Sequence, residues 1–147
     1  MPDNGSPLPL PPTPPQDSPS RVYVINSDPG FLEMIGDLVS DARLAVTLEQ
    51  MRPNIDVSLD NLRLAQPDLL ILDVIPYRHD AELLLSRMAE DSALRRLPVM
   101  LASTSPGLAE QLANTYSDLV RDVLPKPFNI DDFYLLLKRL IVGVYVP

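Results

Sequence analysis

The chain has 147 residues, enough for one domain and a short tail, because domains typically run to about 100–150 residues. Hydrophobic residues make up 46% of it and charged residues 22%, which supplies a core and excludes wholesale disorder. A formal charge of −8 opposes contact with phosphate backbones, and the absence of cysteine excludes disulfides and thiolate metal sites.

Residues 1–20 carry eight of the seventeen prolines, among Ser, Asp and Asn. Proline cannot donate to a helix or strand ladder, so this stretch reads as a disordered tail and spacer. Its run Pro9-Leu10-Pro11-Pro12-Thr13-Pro14-Pro15 contains PxxP spacings of the kind that dock on aromatic grooves, spacings that also arise by chance in any proline-rich stretch. The start, Met1-Pro2-Asp3-Asn4, has no cationic segment leading into an apolar run, and the apolar stretch 133–146 is interrupted by Lys138 and Arg139. The expectation is a soluble, cytoplasmic protein with no membrane span.

From Arg21 onward, short apolar runs alternate with segments of helical period, the pattern of βα units wound about one parallel sheet. Strands are expected at 22–25, 44–48, 69–72, 99–102 and 120–124. After the first, Ser27 or Asp28 caps a helix with Pro29 in its first turn and Phe31, Ile35 and Leu38 on its apolar face. Ile55, Leu59 and Leu62 mark a second helix, Leu84 and Met88 a third, and Leu108, Leu112 and Tyr116 a fourth. The fifth starts from Asn129, has Asp131 and Asp132 at its positive end, and buries Phe133, Leu136, Leu137 and Leu140. The last residues, 143–147, form an apolar C-terminal tail that needs cover, either by folding back on the domain or by a second copy of the chain.

Ligands of such sheets gather at the carboxyl ends of the strands, near the point where strand order reverses. There the sequence places Asn26, Ser27 and Asp28 after the first strand, Asp73 after the third, Ser103 and Thr104 after the fourth, and Lys126 after the fifth. The blocks Arg21-Val-Tyr-Val-Ile-Asn-Ser-Asp-Pro29, Pro67-Asp-Leu-Leu-Ile-Leu-Asp73, Leu97-Pro-Val-Met-Leu-Ala-Ser103 and Leu124-Pro-Lys-Pro-Phe128 follow in order and at suitable spacing. Over residues 21–142 the chain thereby resembles the bacterial response-regulator receiver domains of two-component signalling. The resemblance implies a flavodoxin-like α/β fold, a doubly wound five-stranded parallel sheet of order 2-1-3-4-5 with helices on both faces. It further implies that Asp73 stands where a histidine kinase delivers phosphate, that Ser103, Thr104 and Lys126 line the phosphate pocket, and that the Lys126–Pro127 peptide is cis.

The departures from the family matter more. Receivers carry an adjacent acidic pair that holds Mg²⁺, and this chain has Asn26 and Ser27 there. A hard cation is held by carboxylate and water oxygens and offsets charge on the transferring phosphoryl group, so Mg²⁺ binding is expected to be weak or absent. Asp73 and Lys126 alone already neutralise each other. Asp28 lies one position beyond the pair and reads as a helix cap, with replacement metal ligand as the weaker alternative. The segment after Asp73 is one residue shorter than the family pattern, Ala81 replaces a glycine, and Val123 stands where receivers carry an aromatic that rotates on activation.

His79 is the only histidine and has no nucleophile-elbow sequence beside it, which disfavours a Ser-His-Asp triad. Gly30 stands alone after the first strand, which disfavours a phosphate-binding loop. Neither enzyme activity nor a cofactor is expected. The expected role is a stand-alone receiver-like module that signals through contact with a histidine kinase or another signalling protein. Its contact face would comprise the fourth helix, fifth strand and fifth helix, with Arg121, Lys138 and Arg139 among its charges. The alternatives are a working phosphoacceptor on Asp73 and a flavin carrier on the same fold. Nucleic acid and membrane are not expected partners; a homodimer is a further possibility through the apolar C-terminal end.

Overall fold

In a computed structural model, which describes residues 18–76 and 78–147, strand and helix alternate without exception from Arg21 to Leu140. The order is β1 (Arg21–Asn26), α1 (Pro29–Asp41), β2 (Ala45–Gln50), α2 (Ile55–Ala65), β3 (Leu69–Asp73), α3 (Asp80–Ala89), β4 (Val99–Ser103), α4 (Pro106–Thr115), β5 (Val120–Pro125) and α5 (Ile130–Leu140). The PxxP spacings of the proline-rich segment lie outside the described residues. Among those residues, no helix is long and apolar enough to cross a membrane.

All five strands are parallel and pair in the order β2-β1-β3-β4-β5, with helices on both faces, as expected. Side chains alternate across a strand, so one set of positions builds each face. Tyr23, Ile25, Leu70, Leu72, Val99 and Leu101 pack against α2, α3 and α4. Val22, Val24, Leu69, Ile71, Met100 and Ala102 pack against α1 and α5. Covered on both sides, β3 and β4 are buried at every position, which is why their sequences read as unbroken apolar runs.

Some boundaries differ from the sequence reading for identifiable reasons. β2 runs from Ala45 to Gln50 rather than 44–48, because Leu44 belongs to the turn that follows Arg43 at φ 61, and the buried position of the strand is Glu49. Tyr116 is the C-cap of α4 rather than part of the helix body, and packs on the same core cluster as Leu108 and Leu112. Of the two candidate caps for α1, Asp28 is the one used: its carboxylate accepts from the Gly30 backbone N–H at 2.9 Å. The apolar C-terminal end folds back. Tyr145 N–H donates to the Ala42 carbonyl at 3.0 Å, its ring lies 3.8 Å from the Arg43 guanidinium, and Val144 packs on the α1–α5 core.

Glu49 is 5% exposed and has no cation in contact among the described residues. A buried carboxylate needs hydrogen bonds to offset lost hydration, and three neutral donors supply them. The Tyr23 hydroxyl donates to Oε1 at 2.5 Å, Asn61 Nδ2 to the same oxygen at 3.0 Å, and the Ser58 hydroxyl to Oε2 at 2.5 Å. These bonds fasten α2 to β1 and β2.

Burial, and then the bond to Glu49, holds the Tyr23 hydroxyl well above the ordinary phenol value of 10.0. Its proton-linked stability is therefore fully present below that value and is lost as pH rises past it. Tyr23→Phe should cost about 2 kcal/mol at neutral pH by removing one donor to a charged group. It should also flatten the alkaline decline relative to the parent. Urea melts of both proteins on either side of the phenol value would read the two effects, and parallel alkaline declines would contradict the second.

Candidate functional site

Parallel strands laid side by side bring their carboxyl ends to one rim, and here that rim carries Asn26 from β1, Asp73 from β3, Ser103 from β4 and Lys126 just beyond β5. Because β3 is central, Asp73 is delivered to the floor of the crevice with its side chain only 6% exposed. The backbone N–H of Lys126 donates to the Ser103 carbonyl at 2.8 Å, which anchors the lysine to the rim, and the Lys126–Pro127 peptide is cis, as the resemblance implies.

Lys126 Nζ lies 2.9 Å from Asp73 Oδ1 and 4.2 Å from the centre of the Phe31 ring. The ammonium thus sits between a carboxylate and the negative face of an aromatic ring, two favourable contacts for a cation. Phe31 is held edge-on against Phe128, with ring centroids 6.2 Å apart, and Phe128 meets Phe133 of α5 at 5.7 Å. On the other carboxylate oxygen, the Ser27 hydroxyl donates to Asp73 Oδ2 at 3.3 Å.

The remaining rim residues turn elsewhere. Asn26 is buried, and its side-chain oxygen accepts from the Asp28 backbone N–H at 2.8 Å. Asp28 is exposed and caps α1. The fully buried Ser103 hydroxyl lies 3.1 Å from the Val74 carbonyl and 3.2 Å from that of Ser105, and accepts from the Ser105 N–H at 2.9 Å. A hydroxyl has one proton, so it serves one carbonyl at a time. Either way it ties β4 to the main chain rather than to Asp73. Thr104 is exposed on the rim. The structure therefore brings together Asp73, Lys126 and Ser27, leaves Ser103, Asn26 and Asp28 in other contacts, and exposes Thr104.

A hard divalent cation requires several oxygens free to coordinate it. The crevice offers one carboxylate, already bonded to an ammonium and a hydroxyl, while Asn26 and Asp28 each have an oxygen engaged by a backbone N–H. Among the described residues, no three His, Cys, Asp or Glu side chains converge on one point. This donor set does not fit Mg²⁺. His79 is exposed beside the ion pair of Arg78 and Asp80, and its Nδ1 stands 3.8 Å from Glu82.

Sequence reasoning placed Phe31 in the apolar stripe of α1 and missed its contact with Lys126. The available signal was its place in the first turn, three residues after the Asp28 cap. The Glu49 cluster carried no motif at all.

No protein-family model matches the chain. Among curated proteins, the DNA-binding dual master transcriptional regulator RpaA of Synechocystis sp. is 26% identical over 127 residues, covering 82% of this chain and 48% of that protein. The chain thus spans about half the length of the curated relative it matches. Solved structures share the fold. Chemotaxis protein CheY4 of Vibrio cholerae is 19% identical with TM-score 0.68, over 83% of this chain and 98% of that one. The non-phosphorylated HemR receiver domain of Leptospira biflexa is 21% identical with TM-score 0.67, over 87% and 98%. The signal receiver domain of a signal transduction histidine kinase from Syntrophus aciditrophicus is 23% identical with TM-score 0.65, over 85% and 92%. At these identities, the likeness is one of fold.

Breaking a buried pair by removing one partner leaves an uncompensated charge, whereas replacing both can be nearly neutral. Lys126→Met should therefore cost about 3 kcal/mol, and adding Asp73→Leu should recover most of it. A double-mutant cycle measured by urea denaturation reads this directly. Strictly additive losses would show that the contact contributes nothing to stability.

Proposed function

We propose that this chain is a receiver module of two-component signalling that acts through phosphorylation-independent contact with a protein partner. The observation that carries the reading is the Asp73–Lys126 contact, 2.9 Å long, flanked by the neutral Asn26 and Ser27. Phosphoryl transfer to a carboxylate spreads negative charge over the transferred group, and catalysis of it consists largely of cations positioned to meet that charge. In this crevice the one ammonium in contact with Asp73 is already balanced by it. A second anion arriving there would find no further fixed positive charge among the rim residues.

The switching parts support the same conclusion. Ser103 is bonded to the main chain around Asp73, and position 123 holds a half-buried valine packed on the α2–α4 side of the sheet. A short β-branched side chain has one strongly preferred rotamer and no ring to swing. The likeness of fold to receiver domains, and the partial match to a regulator, support placing the module in signalling. Its partner would be a histidine kinase or another signalling protein in the cytoplasm. DNA binding is a property of the named relative, and a charge of −8 opposes it in this chain.

The test is to incubate the chain with Mg²⁺ and acetyl phosphate and follow intact mass. The parent should show no phosphoryl adduct under conditions in which Asn26→Asp with Ser27→Asp acquires one at Asp73. A stable adduct on the parent that is lost in Asp73→Asn would overturn the reading and establish Asp73 as a working phosphoacceptor.

A further inference from the structure

We propose that an acidic peptide segment of a partner protein docks in an arginine-lined cleft at the end of the sheet opposite Asp73. The cleft, about 500 Å³ in volume, is lined by Ala89 at the end of α3, Arg95 and Arg96 in the loop before β4, and Asp118, Leu119 and Arg121 around the start of β5. Three arginines line it, with one carboxylate, that of Asp118, among the lining residues. In a chain that is strongly acidic overall, this is a local reversal of sign.

Two features show how the reversal is built. The strand register pairs Val99 with Val120 and Met100 with Asp122, so Arg121 has no partner on β4 and forms a bulge. A bulge re-aims the side chain of its extra residue, and here it delivers Arg121 to the cleft on the edge strand of the sheet. Two neighbouring carboxylates that do not line the cleft are committed elsewhere: Asp91 to Arg63 at 2.6 Å, and Asp122 to Arg139 at 3.2 Å. Among the described residues, Arg95, Arg96 and Arg121 make no ion pair, whereas Arg63, Arg78, Arg87 and Arg139 each make at least one. Three like charges opposed by the single carboxylate of Asp118 leave the lining with a positive excess, which raises the affinity of a cleft for an anion.

The chemistry of the occupant follows from size and sign. Guanidinium forks match carboxylates in bidentate geometry, which favours acidic side chains as the occupants. The cleft has room for a few acidic side chains. A nucleic acid would extend past it over a surface whose charge is −8 in sum, and would be repelled there. This surface is separate from the Asp73 crevice, so its use is independent of whether Asp73 accepts phosphate.

The experiment uses the full chain and a fluorescein-labelled peptide, Glu-Glu-Asp-Glu-Asp-Leu, with its amide counterpart, Gln-Gln-Asn-Gln-Asn-Leu, as control. Fluorescence anisotropy should show saturable binding of the acidic peptide only, lost at about 1 M salt, where screening reaches within ~3 Å. Arg95→Ser, Arg96→Ser and Arg121→Ser together should weaken it about tenfold, as expected for loss of the complementary charges. Asp118→Asn should tighten it about twofold, a gain that misfolding cannot mimic. Equal binding of the two peptides, no saturable binding, unchanged affinity in the triple variant, or stronger binding of a thymidine oligonucleotide would each overturn the proposal.

Discussion

A carboxylate on the floor of a parallel sheet cannot remain charged without a partner, and the position of Asp73 makes that requirement severe. It ends the central strand, both faces of that strand are covered, and almost none of its side chain reaches water. Isolated charge in such a place costs several kcal/mol, so something must neutralise it. In this chain the partner is the ammonium of Lys126, held from behind by the Phe31 ring and from below by the bond between its own main chain and Ser103. Once that contact is formed, the crevice is electrically closed. Ser27 adds a hydroxyl to Asp73, and the Asn26 side chain is occupied by the Asp28 main chain.

The same physical problem is solved differently two strands away, on β2. Glu49 is as deeply buried as Asp73, yet it is stabilised by three neutral donors from Tyr23, Ser58 and Asn61. The contrast separates two uses of a buried acid. A carboxylate held by fixed neutral donors fastens elements together, here α2 to the edge of the sheet. A carboxylate held by one lysine and one serine hydroxyl at the rim sits where ligands of this fold gather. Its charge is balanced by one ion pair, which any change in charge at the crevice would disturb.

Much of the fold was legible in the sequence because its strongest signals are local. The unbroken apolar runs of β3 and β4 follow from their central places in the sheet, and the cap, acidic first turn and apolar stripe of α5 follow from helix geometry. Asp73, Lys126 and the neutral pair were legible because strand ends can be located from those runs. What escaped depends on side-chain direction or register. Glu49 hid the course of β2, since a buried glutamate looks like a solvent-facing one until its three donors are in place. Ser103 has the right residue type at the right position, yet its hydroxyl points to the main chain around Val74. Arg121 reads from the sequence as a charge on the face of the fourth helix, fifth strand and fifth helix, and the register shift at the start of β5, which places it in one cleft with Arg95 and Arg96, has no sequence signal.

With Asp73 bonded to Lys126 and Ser27, the crevice lacks the free oxygen donors a divalent ion requires. Isothermal titration of Mg²⁺ into the purified chain should give no saturable heat through the millimolar range, and the same flat trace for Asp73→Asn. Tight, one-to-one binding in the micromolar range that vanishes in Asp73→Asn would contradict it.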